Sequence, residues 1–223
     1  MLFDLLFVYK DMSFENKLIL FFTFTFATIF ALTIHEYAHG AVANKLGDNT
    51  AKLAGRLSLN PMVHFDYLGM FCFLFLGFGW AKPVPINPYN FHNIKRDTFL
   101  VSIAGICVNL ILAFVCYPIA LLFLRTIESG TIIYILFNLF YCLFEVNLVF
   151  AVFNLLPIYP LDGYNALASQ LKYTNPYVTF MQKYGSFVLL TVIIIFSQTG
   201  IFSFLVNKVG YPIEWFWGLI FGM

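Results

Sequence analysis

The sequence predicts an all-α polytopic membrane protein, a helical bundle with a short membrane-embedded re-entrant strand-like element, and three observations predict it. Only 10% of the 223 residues are charged, against about a quarter in a soluble domain, while 61% are hydrophobic and the mean hydropathy is +0.85. Four stretches, residues 18–42, 99–124, 132–156 and 186–206, each approach the roughly 20 apolar residues that a bilayer core requires. Between them, glycine and proline clusters interrupt the chain where a regular spanning helix is excluded.

Composition also limits partners and organisation. With a net charge of +1 and no basic run, no nucleic-acid partner is expected. Cys72, Cys107, Cys116 and Cys142 lie in apolar stretches without paired spacing, so they read as small core residues. No internal repeat or separately folding appendage is visible. One membrane-embedded domain is expected over residues 1–223, with its core motifs in 18–165 and accessory C-terminal helices in 184–223. The start, residues 1–10, carries Asp4 and has neither a basic beginning nor a small-residue cleavage site, which argues against a removed signal peptide.

The first span, 18–42, has no charge after Lys17 except in His35-Glu36-Tyr37-Ala38-His39. Histidines four apart project from one face of a helix and can grip one metal ion, and Glu36 stands beside them, placed to take a proton from water at that metal. An ionisable group inside a bilayer costs at least a few kcal/mol. The alternative to a metal site is a polar helix-packing cluster.

Next comes Leu53-Ala54-Gly55-Arg56-Leu57-Ser58-Leu59-Asn60-Pro61, whose alternation between Gly and Pro predicts a short strand pair set against protein or a water-filled cavity. An aqueous loop is the plainer reading. Residues 65–80 are apolar but short and hold Gly69, Gly77 and Gly79, so they are expected to dip into the membrane and return. Ala81-Lys82-Pro83-Val84-Pro85-Ile86-Asn87-Pro88 then excludes a helix and imposes an extended, semi-rigid path. The span 99–124 opens with Ser102-Ile103-Ala104-Gly105 and reaches Asn109, small residues that admit a close neighbour helix.

The span 132–156 runs into Asn154-Leu155-Leu156-Pro157-Ile158-Tyr159-Pro160-Leu161-Asp162-Gly163. Pro157 and Pro160 should unwind the helix and free Asp162 to turn toward the bundle interior as a third metal ligand. Rival third ligands are His64, Asp66, Asp97, Glu128 and Glu145. Glu145 lies deep in the span, on a different face from Asn154, and reads as a hydrogen-bonded acid or a partner for another helix. After the span 186–206, the tail 211–223 is short and contains Glu214, so it reads as re-entrant or interfacial.

One metal ion can bind His35, His39 and Asp162 only if the C-terminal ends of 18–42 and 132–156 share a depth. The two helices must then run in one direction, with one crossing, 99–124, between them. That arrangement puts eight basic residues (Lys45, Lys52, Arg56, Lys82, Lys95, Arg96, Lys172, Lys183) on the metal's side and four (Lys10, Lys17, Arg125, Lys208) on the other. The excess marks the cytoplasmic side. Location in the cell (inner or cytoplasmic) membrane, multi-pass, with the metal toward the cytoplasm is therefore expected.

On these residues the chain resembles the site-2 protease family of intramembrane zinc metalloproteases, in its compact prokaryotic form without a regulatory domain. The motifs are His35-Glu36-Tyr37-Ala38-His39, Gly55-Arg56-Leu57-Ser58-Leu59-Asn60-Pro61, Gly79-Trp80-Ala81-Lys82-Pro83-Val84-Pro85, Ser102-Ile103-Ala104-Gly105 and Asn154 through Gly163. The resemblance implies one zinc ion on His35, His39 and Asp162, Glu36 as the base, and Asn154 as a polar contact for substrate or developing oxyanion. It also implies a substrate that is a transmembrane-helix protein, cleaved within or near that helix. Ile106 and Tyr67 stand where the family often has proline. Two rival functions are a metal-ion transporter, which would not need Glu36 beside the ligands, and a catalytically inactive membrane adaptor, which would be expected to have lost a ligand or the base.

Overall fold

The computed structural model describes residues 12–76, 79–127 and 130–222; the start of the chain (1–10) and Glu128 lie outside them. Helix α1 (Phe14–Lys45) begins where the Ser13 side chain accepts the Asn16 N–H, with Glu15 in the first turn and Lys45 in the last, each sign matched to its end of the helix dipole. A one-turn helix α2 (Thr50–Leu53) and a 3-10 turn (Pro61–Val63) follow. Helix α3 (Tyr67–Leu76) leads into an extended segment. Then come α4 (Ile94–Leu124), α5 (Thr131–Leu155), the short α6 (Asp162–Gln170), α7 (Pro176–Thr199) and α8 (Ile201–Phe221). Among them α1, α4, α5 and α7 are long and apolar enough to cross a membrane.

Three of these helices make the frame that positions the site. His39 pairs with Val101 and His35 with Asn109, so numbers fall along α1 as they rise along α4 and the two run antiparallel. Thr23 lies beside Cys142, while the later residues His35 and His39 meet Asp162 beyond the end of α5, so α1 and α5 run parallel. This is the direction that a shared metal demands. Close packing rests on small residues: Ala27 and Ala31 on α1 and Ala113 on α4 are fully buried in one cluster with Leu143, Phe144 and Leu148 of α5. Helix α8 adds Val206 to that cluster.

The segment after α1 corrects one expectation. No strand occurs among the described residues: Leu53 ends α2, Pro61 opens the 3-10 turn, and 54–60 between them is turn and bend. Gly55 adopts φ +67°, Arg56 N–H closes a turn on Ala51 O (2.8 Å), and the Ser58 and Asn60 side chains accept the backbone N–H groups of Asn60 and Met62. These local side-chain bonds give the backbone partners that a strand would otherwise seek across a ladder. By contrast, 65–80 leaves and returns. Lys82 N–H donates to His64 O at 3.0 Å, so both ends of the excursion meet. A Cβ on Gly69 or on Gly79 would run into the backbone of the other limb. Helix α3, at 10 residues, is about 15 Å long, half of a hydrocarbon core.

At the C-terminus the expected span 186–206 is cut by Gly200, whose φ of +66° ends α7 and starts α8. Only glycine takes that conformation without steric cost. The tail is correspondingly no short appendage: α8 has 21 residues, with Pro212 and Glu214 inside it. The four cysteines are free; Cys116 and Cys142 are buried as core residues, whereas Cys72 is half-buried and Cys107 exposed, which corrects the reading of all four as core.

Candidate metal centre

Helix spacing sets two of the ligating positions and a helix break sets the third. On α1, His35 and His39 lie one turn apart, both buried, their Nε2 atoms 3.0 Å apart. Helix α5 stops at Leu155; Pro157 removes a donor, Ile158 N–H turns back to Leu156 O and Leu161 N–H to Ile158 O, each at 2.8 Å. This unwound loop brings Asp162 Oδ2 to 3.0 Å from His35 Nε2 and 3.1 Å from His39 Nε2. A Cβ on Gly163 would collide with the Leu155 and Leu156 carbonyls, so the turn into α6 requires glycine there.

The surrounding hydrogen bonds decide which atoms face the centre. His39 Nδ1 lies 2.7 Å from Val101 O, a carbonyl that can only accept, so Nδ1 carries the proton. Asn147 Nδ2 donates to Leu143 O, leaving its Oδ1 to accept from Asn109 Nδ2 at 2.7 Å; Asn109 Oδ1 then faces His35 Nδ1 at 2.5 Å. His35 is thereby also protonated at Nδ1. Both neutral rings present bare Nε2 lone pairs, and Asp162 presents a third acceptor.

Three acceptors therefore converge without a donor between them, an arrangement that a cation satisfies. Tetrahedral zinc with bonds of 2.0–2.1 Å would set its ligand atoms about 3.3 Å apart, close to the spacing present. Among the described residues these three form the one His, Cys, Asp and Glu group gathered tightly enough to hold a metal. Gly105 of α4 closes the back of the site: a Cβ there would lie 2.5 Å from His35 Cε1 and from His39 Nε2.

The remaining sequence candidates separate. Glu36 accepts the Val84 N–H on Oε2 at 2.8 Å. Asn154, half-buried in the last turn of α5, donates one amide hydrogen to Phe150 O. His64 Nε2 bonds Ser58 O, Asp66 caps Gly69 N–H at the start of α3, and Asp97 accepts from Asn93 N–H and Arg96 Nε. Glu145 borders an apolar cavity of about 470 Å³ between α1, α3, α5, α7 and α8. None of the rivals His64, Asp66, Asp97 and Glu145 belongs to the His35–His39–Asp162 group. Reading the sequence missed Asn147 and the role of Asn109. Their signal was available: each is an amide, fully buried, in an otherwise apolar span.

No family model and no solved structure matches the chain. Among curated proteins it is 39% identical over 174 residues to one from Bacillus subtilis named "Putative zinc metalloprotease YwhC", covering 74% of this chain and 77% of that one. It is 30% identical over 146 residues to "Putative zinc metalloprotease Rip2" of Mycobacterium tuberculosis, covering 64% of this chain and 54% of the relative. Against the protein of that name from Mycolicibacterium smegmatis the identity is 26% over 212 residues, 86% of this chain and 80% of the other.

Proposed function

The chain belongs to the site-2 protease family of zinc metalloproteases, and from that membership we propose that it hydrolyses a peptide bond within or beside the transmembrane helix of a membrane-protein substrate. The observation that carries this reading is the convergence of His35 Nε2, His39 Nε2 and Asp162 Oδ2, each ligand atom bare and each ring fixed from behind, at the end of an apolar helix. Zinc held there would supply a Lewis acid that acidifies water and polarises the scissile carbonyl.

The chain's own groups do the rest. Glu36 follows directly on the first ligand, and its carboxylate takes the proton of the attacking water and returns it to the leaving amine. Asn154, with one amide hydrogen committed to Phe150 O, has a second to offer the substrate carbonyl as charge develops on it. His35 and His39 keep their protons at Nδ1 throughout, on Asn109 and Val101, so neither ring competes as a proton donor at the centre.

Depth supports the membrane assignment. The centre lies toward the C-terminal ends of parallel α1 and α5, and the eight-to-four division of basic residues favours the cytoplasmic side of a multi-pass inner membrane for it. A helical substrate has its amides hydrogen-bonded and must unwind before hydrolysis. The test is cleavage of a transmembrane substrate by purified protein, stripped of metal and reloaded with zinc, beside Glu36→Gln. Activity should vanish with the metal and return with zinc, and Glu36→Gln should bind zinc normally yet lose at least a hundredfold in turnover. Residual turnover near wild type in Glu36→Gln would remove the base role; zinc uptake without any cleavage by wild type would favour a carrier or an adaptor.

A further inference from the structure

We propose that Asp48 and Arg56 are positioning residues for Glu36, clamping the two ends of the proline-rich segment 82–90 so that the Val84 N–H meets the Glu36 carboxylate. The inference rests on the reading of Glu36 as the base. A base must stay within about 2.6–3.2 Å of the heavy atom whose proton it takes, and glutamate on a helix has three side-chain torsions to wander through. The hydrogen bond that the structure gives Glu36 comes from Val84, at 2.8 Å, in the stretch 82–87, which has no regular structure before the 3-10 turn Pro88–Asn90.

That segment is stiff by composition. Pro83 has its own φ fixed, and Pro85 restricts Val84 to extended conformations. Prolines also leave Val84 with the single N–H of residues 83–85, and it is the one spent on Glu36. A stiff segment is aimed by its ends. At one end Arg56 Nη2 donates to Lys82 O at 2.7 Å and to Pro83 O at 3.2 Å. At the other, Asp48 Oδ2 accepts the Asn87 N–H and Oδ1 accepts Asn90 Nδ2, both at 2.7 Å. Asp48 is completely buried, a placement that costs several kcal/mol unless such bonds compensate it. Between the clamps the segment lies on α1 itself: a Cβ on Gly40, the residue after His39, would sit 3.3 Å from Val84 Cγ1. Asp48 and Arg56 both belong to the chain leaving α1, so the loop that follows the ligand helix folds back to hold the base of that helix in place.

Two readouts test this on the full-length protein in detergent. Hydrogen exchange at the Val84 amide needs neither zinc nor activity, and should quicken at least tenfold in Asp48→Ala and in Arg56→Ala while amides of α4 stay unchanged. In zinc-loaded protein both variants should lose about tenfold or more in kcat with KM and zinc affinity within twofold, and Arg56→Lys, which keeps a donor but not the guanidinium fork, should fall between. Val84→Pro removes the N–H; adding Asp48→Ala to it should cost nothing more, since the contact is already gone. Unchanged Val84 exchange, or losses that multiply in the double variant, would overturn the proposal. If instead exchange responds as expected while wild-type protein cleaves no substrate, the clamp stands and the protease reading fails.

Discussion

Two residues carry more of the centre than their chemistry suggests. Asn109 touches no metal, yet its Oδ1 fixes the His35 tautomer, and its own orientation is fixed by Asn147. Removing such a partner typically lowers metal affinity 10–100-fold, so Asn109→Ala should bind zinc about 10–100-fold more weakly in a chelator competition, whereas His64→Ala should leave affinity unchanged. Equal effects would mean that the amide relay contributes only packing. Gly105 acts through the atom that it lacks. In Gly105→Ala the new methyl meets both imidazoles at 2.5 Å, and α4 must retreat or the rings must turn; overpacking of this kind costs about 1–3 kcal/mol. Zinc affinity should drop at least tenfold and the melting temperature should fall, while Gly40→Ala, whose nearest neighbours are side-chain atoms at 3.3 Å, should do less. That His35, His39 and Asp162 would come together was legible in the sequence, because HExxH on an apolar helix and a proline-broken helix before Asp162 each carry their geometry with them. The relay was not, because which amide of α4 or α5 reaches which imidazole depends on how the helices are rotated against one another.

At the scale of elements, the structure departs from the sequence where a few local bonds outweigh a pattern. The alternation of 53–61 looked like strand, but Gly55 and the capping side chains Ser58 and Asn60 satisfy the backbone within the segment. Likewise the apolar run through 186–206 hides a break, because hydropathy is blind to the backbone angle of Gly200. The proline-rich segment was legible, since missing donors and fixed φ angles are properties of the residues. Its clamp gives a prediction about acid. Burial pushes the Asp48 carboxyl up, but hydrogen bonds from Thr50, Asn87 and Asn90 outweigh this and hold it below the ordinary range. A depressed value in the folded state stabilises the protein above the unfolded carboxylate range, near 3.9, and that stability is lost as pH falls through the folded value. Asp48→Asn should therefore cost about 2 kcal/mol at pH 7, and the gap in melting temperature between wild type and variant should stay constant down to about pH 4–5 and close below it. A gap that persisted through the lowest pH would show that Asp48 acts by shape and not by charge.

The whole molecule is arranged by one requirement, that ligands on two helices meet at one depth. Antiparallel pairing of α1 with α4, and the meeting of His35 and His39 with Asp162, make α1 and α5 parallel with a single crossing between them. The excursion of 65–80 cannot add a crossing, since Lys82 returns to within hydrogen-bonding distance of His64. Sidedness is a proposal from charge: the sequence assigns eight basic residues to the metal's side and four to the other, and on that ground we propose that the metal end faces the cytoplasm. In a background lacking the four native cysteines, single cysteines at Asn49 and Asn93 should label from the same side, and one at Thr126, past the far end of α4, from the opposite side. A membrane-impermeant maleimide applied to intact cells should reach position 126 alone, and applied to inverted vesicles should reach 49 and 93 alone. Labelling of 93 together with 126 would put a second crossing between α1 and α4 and separate Asp162 from the histidines by the thickness of the bilayer. Labelling of all three with sides exchanged would keep the shared depth and reverse only the orientation read from the lysines and arginines.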